Sequence, residues 1–456
     1  MEIWYTIQPK VHQFCPSKSG IQKEFELNSN FTILDFFEAL VTPFLLGKVA
    51  YETNEYYRQN TESHIMSCRN ASWYDTTSEE LYLFISVQML MARNKKLDIS
   101  EYWSTDPLLY SPIFGKIMSI NRFQLLLRYI NFCNNNNQVT NDRLFKIDIV
   151  LKDIKNNFRS AMVSFQNLVI DESLVLWKGR LSFKQFIRTK RHRFGIKFFI
   201  LCDVETDYIL DFIIYTGKTT RLVSCNPNLG QSGAVVKTLM KRYLNIGHTL
   251  YTDNWYTSPI LSMYLHKKNP NTCGTVRYNR RGMLPFKKTE FQPGQTESIH
   301  TEKMFTIKWM DWREVHMLTT IHGDEQLPIQ KHGKITMKPK CVKEYNENMG
   351  SVDKTDMLLS GVEYLSLLNA YSSYKTVTGN HIPIAQFQME LIRQIIEKYQ
   401  TDRLPKSRPP TKDQPSKLID KHFSSEVPAT QSRRLARRRC QLCKKNNKRT
   451  DTRYRM

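Results

Sequence analysis

A chain of 456 residues with 41% hydrophobic and 12% aromatic residues exceeds what one hydrophobic core usually organises, and it is too apolar to be a disordered protein. Its 66 Lys+Arg against 43 Asp+Glu leave a formal charge of +23, a field that draws polyanions, so nucleic acid is the leading class of partner. Nine cysteines, odd in number and mostly far apart, do not read as a disulfide framework, and the start MEIWYTIQPK lacks the cationic and apolar stretches of a signal peptide. The most apolar window, Leu81 to Ala92, is interrupted by Ser86 and Gln88 and is too short to span a bilayer. A reducing, aqueous compartment and no membrane partner are expected.

The first third reads as helices. Thr32 with Asp35 three residues on forms a capping-box pattern ahead of Phe36, Phe37, Leu40, Val41, Phe44 and Leu45, and Pro43 is expected to kink that helix. Ser78, with Glu79 and Glu80 behind it, opens a second helix through Met91, and Ser119 opens a third carrying Phe123, Leu126, Leu127 and Ile130. Such stripes are core and carry no chemistry. Strands follow: an apolar run from Asn167 to Ile170 that ends at Asp171, then Ile196 to Cys202 and Tyr208 to Tyr215 joined by a polar turn. Gly233 to Leu244 has helical spacing, His248 to Thr252 is a strand that stops at Asp253, and Ser258 to Lys267 is again helical. From Cys273 to Cys341 short aromatic strands such as Met304 to Trp309 and Val315 to Ile321 suggest a β-rich insertion. Helix returns after Asn348, through Leu365 to Tyr374, and most clearly from Ile384 to Tyr399.

Asp171 and Asp253 thus each fall at the carboxyl end of a strand, where open mixed sheets usually place their chemistry. Phosphodiester cleavage needs the phosphate charge neutralised and an oxygen nucleophile activated, and divalent cations held by carboxylates supply both. Asp353 and Asp356, three apart near a helix start, offer further carboxylates. Each Asp has an ordinary alternative as a turn residue or a cap. Basic and aromatic neighbours accompany the acidic positions: Lys178, Arg180, Lys184, Arg188, Lys190, Arg191, His192 and Arg193 follow Asp171, while Asn254, Trp255 and Tyr256 follow Asp253. Cations neutralise phosphates and rings stack on unpaired bases, although Trp255 and Phe194 serve equally well as core.

From Arg403 to Met456 the chain carries 17 Lys+Arg against 4 Asp+Glu, so part of the positive charge is concentrated in a tail. Within it Cys440 and Cys443 form half of a zinc site, with no Cys or His after them, so bound Zn²⁺ is not expected. The basic run Arg433 to Arg439 fits a nuclear-localisation patch.

The blocks Val169-Ile170-Asp171-Glu172-Ser173 through Phe194-Gly195-Ile196-Lys197, Tyr251-Thr252-Asp253-Asn254-Trp255-Tyr256-Thr257-Ser258 and Asn346 to Met357 closely resemble the piggyBac transposase family, and Asn121-Arg122-Phe123 and Asp142-Arg143-Leu144-Phe145 extend the likeness. The resemblance implies an α/β fold in which a ribonuclease-H-like mixed sheet with a β-rich insertion is joined to an all-α domain and a basic C-terminal tail. It implies cut-and-paste DNA transposition at TTAA targets by a homodimer in the nucleus, with Mg²⁺ or Mn²⁺ as cofactor. Its catalytic, metal-holding aspartates fall on Asp171, Asp253 and Asp353, with Asp356 as an acidic neighbour. The DNA-binding side chains are expected at Lys178, Arg180, Lys190, Arg191, His192, Arg193, Asn254 and Trp255. A decayed or domesticated derivative that binds DNA without cutting it is the alternative, because the cysteine module stops after its first pair and the helix after Asp356 is short. The expected organisation is an extended segment over 1–30, a helical DNA-binding and dimerisation domain over 31–159 and 360–400, a catalytic domain over 160–268 with its last helix over 346–359, an insertion over 269–345, and a basic linker with the incomplete cysteine module over 401–456.

Overall fold

The computed structural model describes residues 9–15, 19–22, 31–61, 72–138, 142–188, 193–223, 227–283, 285–286, 291–331, 334–362 and 364–400, together with four two-residue strands beyond them. Residues up to Thr401 form one compact unit and Asp402–Met456 a second. In the second, Ser425–Glu426 pairs with Tyr454–Arg455 and Arg438–Arg439 pairs with Asp451–Thr452.

Strand β1 (Gly20–Ile21) precedes the helices α1 (Ile33–Glu38), α2 (Pro43–Thr61), α3 (Ser78–Arg93), α4 (Pro112–Ile117), α5 (Ile120–Tyr129) and α6 (Asp148–Ala161). The capping box forms as expected: Thr32 Oγ1 accepts the Asp35 N–H and Asp35 Oδ2 accepts the Thr32 N–H. Pro43 does not kink a continuous helix. The chain leaves helix after Glu38 and Pro43 starts a new one, a position where a missing N–H costs nothing. Thr77 caps α3, one residue before the expected Ser78, and Ser119 caps α5.

The sheet elements are β2 (Met162–Val163), β3 (Asn167–Leu176), β4 (Gln185–Phe186), β5 (Phe194–Asp203) and β6 (Ile209–Ile214), then α7 (Gly230–Met240), β7 (Thr249–Thr252), α8 (Pro259–His266), β8 (Asn271–Thr275), β9 (Thr296–His300), β10 (Phe305–Met310) and β11 (Glu314–Thr319). The hairpin β12 (Gln326–Lys331) and β13 (Lys334–Pro339) leads into α9 (Lys340–Asn348), α10 (Gly350–Val362), α11 (Leu365–Thr378) and α12 (Ile384–Tyr399). Apart from the small β1–β2 ladder and that hairpin, these strands join one mixed sheet in the order β4-β5-β3-β7-β8-β11-β10-β9, with β6 also on β5. β3, β7 and β8 run parallel and the remaining pairs are antiparallel. The expected α/β fold with a mixed sheet is therefore present, and the strands read from the sequence as an insertion continue that sheet through β8 and β11.

Helices from the two ends of this unit meet. Tyr82 of α3 stacks on Tyr399 of α12 at 4.7 Å, and Phe36 of α1 packs edge-on against Tyr374 of α11. The Tyr82 hydroxyl donates to the Val41 carbonyl, so this buried phenol is satisfied. No described helix is long and apolar enough to cross a membrane.

Candidate active site

The site begins with strand register. Ile170 of β3 is the partner of Thr252 of parallel β7, about 5 Å away at the backbone, and Asp171 and Asp253 each follow one residue further along. Asp253 follows directly after β7, as the sequence suggested. Asp171 does not end its strand. β3 continues to Leu176 because its antiparallel ladder with β5 persists to Leu176↔Gly195, while the parallel ladder with β7 stops at Ile170. Asp171 therefore lies where the sheet loses one neighbour, which leaves room beside a carboxylate that is otherwise held in a rigid strand.

Side chains alternate along strands, so Asp171 shares a face with Val169, and Val169 is the partner of Cys202 and Tyr251. Two helices cover that face. α9 brings Cys341, whose carbonyl lies 3.8 Å from Cys273 Sγ, and Tyr345, whose hydroxyl is 3.4 Å from Thr275 Oγ1. α10 brings Thr355 to 4.0 Å from Cys202 Sγ and Ser351 to 3.4 Å from the Val204 carbonyl. Its course from Val204 past Cys202 runs toward Ile200, the partner of Asp171. Asp353 sits in the first turn of α10 with its side chain exposed, and Asp356 follows one turn later on the same helix, nearer along the axis to the level of Asp171. The Asp356 side chain lies outside the described residues.

Desolvation dominates the electrostatics around Asp253. Burial raises the Asp253 carboxyl above the ordinary carboxylate value, the Glu172 charge adds to this, and the N–H of Trp255, donated to Oδ1 at 2.9 Å, works against it. Burial pushes the Tyr345 phenol up, and both Asp253 and Asp171 push it further. Tyr256 is raised by burial first and then by Glu172, Asp171 and Asp253 together. Among the described residues no three His, Cys, Asp or Glu side chains stand close enough to share one metal ion. The fold thus places Asp171 and Asp253 at the ends of one parallel ladder and carries Asp353 on a helix over the same face.

Glu172 points to the opposite face. There Tyr256 donates to its Oε2 at 3.3 Å, Trp255 stacks on Phe199 with centroids 5.5 Å apart, and Lys197 lies over both rings. Trp255 is accordingly half-buried and held in place. Asn254 is exposed, and its Oδ1 accepts from Arg277 Nε at 3.2 Å, while Arg280 donates to the carbonyls of Asn254 and Trp255. Arg277 and Arg280 escaped the sequence reading. The signal was the basic cluster Arg277 to Arg281, which lies far from Asp253 in sequence and meets it only through the β7–β8 pairing.

Beyond Asp171 the ladder of β3, β5 and β4 projects as a basic, aromatic tongue. Lys178, Arg180, Arg188 and Arg193 are exposed, and so are Trp177, Phe186 and Phe194, the last two packed on each other at 4.8 Å. Phe194, which could have been core, is a surface ring. Lys190, Arg191, His192, Cys440 and Cys443 lie outside the described residues. The described cysteines Cys15, Cys133, Cys202, Cys273 and Cys341 are all free, consistent with a chain that is not built on disulfides.

Comparison with known proteins bears on the fold and the family. The family model described as Transposase IS4 matches residues 33–380. The human PiggyBac transposable element-derived protein 2 is 23% identical over 325 residues, covering 68% of this chain and 54% of that protein. The human PiggyBac transposable element-derived protein 3 is 22% identical over 397 residues, covering 80% of this chain and 66% of its own length. The chain therefore spans between about half and two thirds of these relatives. Among solved structures, a piggyBac transposase in a synaptic complex with hairpin DNA superposes with a TM-score of 0.73 at 22% identity, over 87% of this chain and 85% of that one.

Proposed function

Because this chain belongs to the piggyBac transposase family, we propose that it is a DNA transposase that cuts and joins strands at TTAA targets, using Asp171, Asp253 and Asp353, with Asp356 beside the last, as its acidic centre. The observation that carries the reading is the Ile170↔Thr252 register, which sets two carboxylates side by side under a helix bearing two more.

Oxygen donors of this kind suit Mg²⁺ or Mn²⁺, hard cations that take carboxylates. The half-buried Asp253 carboxyl, raised by burial and by the nearby Glu172 charge, fits a site that a cation would relieve. Asp171 and Asp253 would hold the ion, with a third ligand from α10. Bound there, a divalent cation would neutralise the scissile phosphate and activate an oxygen nucleophile. The protein's own part is positional. β3 and β7 fix the carboxylates, Arg277 and Arg280 hold the loop after Asp253, and Lys178, Arg180, Arg188 and Arg193 on the tongue, together with Lys190, Arg191 and His192 of the same segment, supply charge to the DNA backbone. A homodimer acting on transposon ends in the nucleus completes the reading.

A second reading, a derivative that binds DNA without cutting it, rests on the exposed cations Lys178, Arg180, Arg188 and Arg193 alone. Purified full-length chain, incubated with hairpin and nicked TTAA DNA and Mg²⁺, separates the two. Cleavage or joining products that vanish in Asp171→Asn and Asp253→Asn support the transposase. Salt-sensitive binding with no product under any metal supports the binder.

A further inference from the structure

A second cleft lies away from the carboxylates. Asp211 of β6 pairs with Leu201, and Leu201 pairs with Ile170, so Asp211 is on the face of the sheet opposite Asp171. Over this edge of the sheet, between α6, β6 and the end of α7, is a cavity of about 530 Å³. That is the size of an ordinary small-molecule site.

Its walls are apolar, with Leu151, Phe212 and Val223 among them, but its charges are mostly of one sign. α6 contributes Lys152, Lys155 and Arg159, which share a helix face; Arg221 comes from a loop, and Lys241 and Arg242 from just beyond α7. Three carboxylates answer these six cations. Asp211 serves both Arg159, at 2.5 Å, and Lys155, at 3.3 Å. Asp148 binds Lys152 at 2.7 Å and also Arg221, which in addition reaches Asp142. The arrangement leaves three positive charges in excess around a cleft, and Arg159 Nε is buried with no hydrogen-bond partner. Burial lowers the Lys155 pKa, as expected for a desolvated cation that owns only part of a counter-charge.

The geometry points to a binding site here for a small, multiply charged phosphorylated anion, gripped by Arg159, Lys155 and the rim cations and distinct from the Asp171–Asp253 centre. A duplex backbone passing over a surface meets cations on ridges, whereas these line a recess with apolar walls into which a compact phosphoryl group fits. Because α6 precedes the sheet in sequence and α7 lies within it, such an anion would tie the two together.

Inorganic pyrophosphate is the probe, measured by equilibrium binding to the full-length chain at about 150 mM salt so that diffuse attraction is screened. The expected result is saturable binding of one equivalent per chain. Affinity should weaken at least about tenfold in Arg159→Gln and in the double variant Lys241→Gln/Arg242→Gln, through loss of charge-assisted hydrogen bonds, and should hold in the distant surface variant Arg313→Gln. The double variant lies at the exposed rim and decides the matter if Arg159→Gln does not fold. Absence of saturable binding would overturn the site, as would an equal loss in Arg313→Gln. Displacement of pyrophosphate by a short DNA duplex whose own affinity falls in the same cleft variants would also overturn it, because the occupant would then be a nucleic-acid strand.

Discussion

Arg122 and Glu80 form a two-pronged ion pair, Nε to Oε1 at 2.7 Å and Nη2 to Oε2 at 2.5 Å, beneath the ring of Tyr74. The Arg122 side chain is 5% exposed, and the same carboxylate also takes the hydroxyls of Thr76 and Tyr74. Arg122 belongs to the Asn121-Arg122-Phe123 block that contributed to the family resemblance, and its place in the fold gives that block a structural cause. It ties α5 to the start of α3.

Arg122→Lys keeps the charge but loses the fork and the stacking surface, so it should destabilise the chain by about 1–3 kcal/mol. Arg122→Met, which strands Glu80 in a largely buried position, should cost about 3–5 kcal/mol. Urea unfolding of the two variants checks the order. Equal costs would mean that the fork contributes nothing beyond charge.

Gly274 tests the coupling between sheet packing and the acidic pair. A Cβ there would meet the Thr252 carbonyl at 2.3 Å and Thr257 Oγ1 at 2.4 Å, immediately beside Asp253. Gly274→Ala must push β7 and β8 apart. It is expected to lower stability by about 1–3 kcal/mol and to weaken Mn²⁺ binding beyond what that loss explains. Metal titration at a temperature where the variant remains folded is the measurement, and unchanged Mn²⁺ affinity would separate the two effects.

His248 gives the fold a pH dependence. Its Nδ1 donates to the Phe165 carbonyl at 3.0 Å, and burial lowers its pKa from 6.5 to about 4. The folded chain holds it neutral while the unfolded chain protonates it, so its contribution is whole above pH 6.5 and is lost as pH falls toward 4. The full loss is of the order of 3 kcal/mol. Asp203, raised to about 6 by burial, acts with the opposite sign in an overlapping window, contributing below its unfolded pKa and losing that contribution as pH rises through 6. The informative quantity is therefore the difference between the chain and His248→Asn, which should shrink steadily on acidification from pH 6.5 to 4. A constant difference would contradict the assignment.

The tongue should act through exposed rings. Phe194→Ser should change stability by less than about 0.5 kcal/mol, because the ring is half-exposed and meets chiefly Phe186. Binding of DNA with an unpaired tip should weaken by about 1–3 kcal/mol per lost stacking contact, with fully paired duplex much less affected. Fluorescence anisotropy with the two DNA forms compares them directly. An equal loss on both would assign the ring to duplex contact instead.

Local signals reached far into this protein. Thr32 with Asp35, the cap at Ser119 and the apolar stripe from Ile384 to Tyr399 are each decided within about one helical turn or repeat, and each appears where the residues place it. Asp253 at the end of a short strand was legible for the same reason. Other features depended on partners distant in the chain. The length of β3 was misjudged because hydrogen bonds from β5 hold it beyond Asp171, and Pro43 opens a second helix that composition alone could not separate from the first. Arg277 and Arg280 reach the loop after Asp253 through a parallel crossover. The sequence by itself determined the alternation of helix and strand, which rests on residue type and short spacing, and the family, which rests on several residue blocks in order. Only the tertiary structure decided that Asp171 and Asp253 stand side by side, that α10 covers their face, and that Arg159 and Lys155 share one carboxylate in a separate cleft. Strand register and helix packing are set by hydrogen bonds and buried contacts between segments far apart in the chain, and no local pattern encodes them.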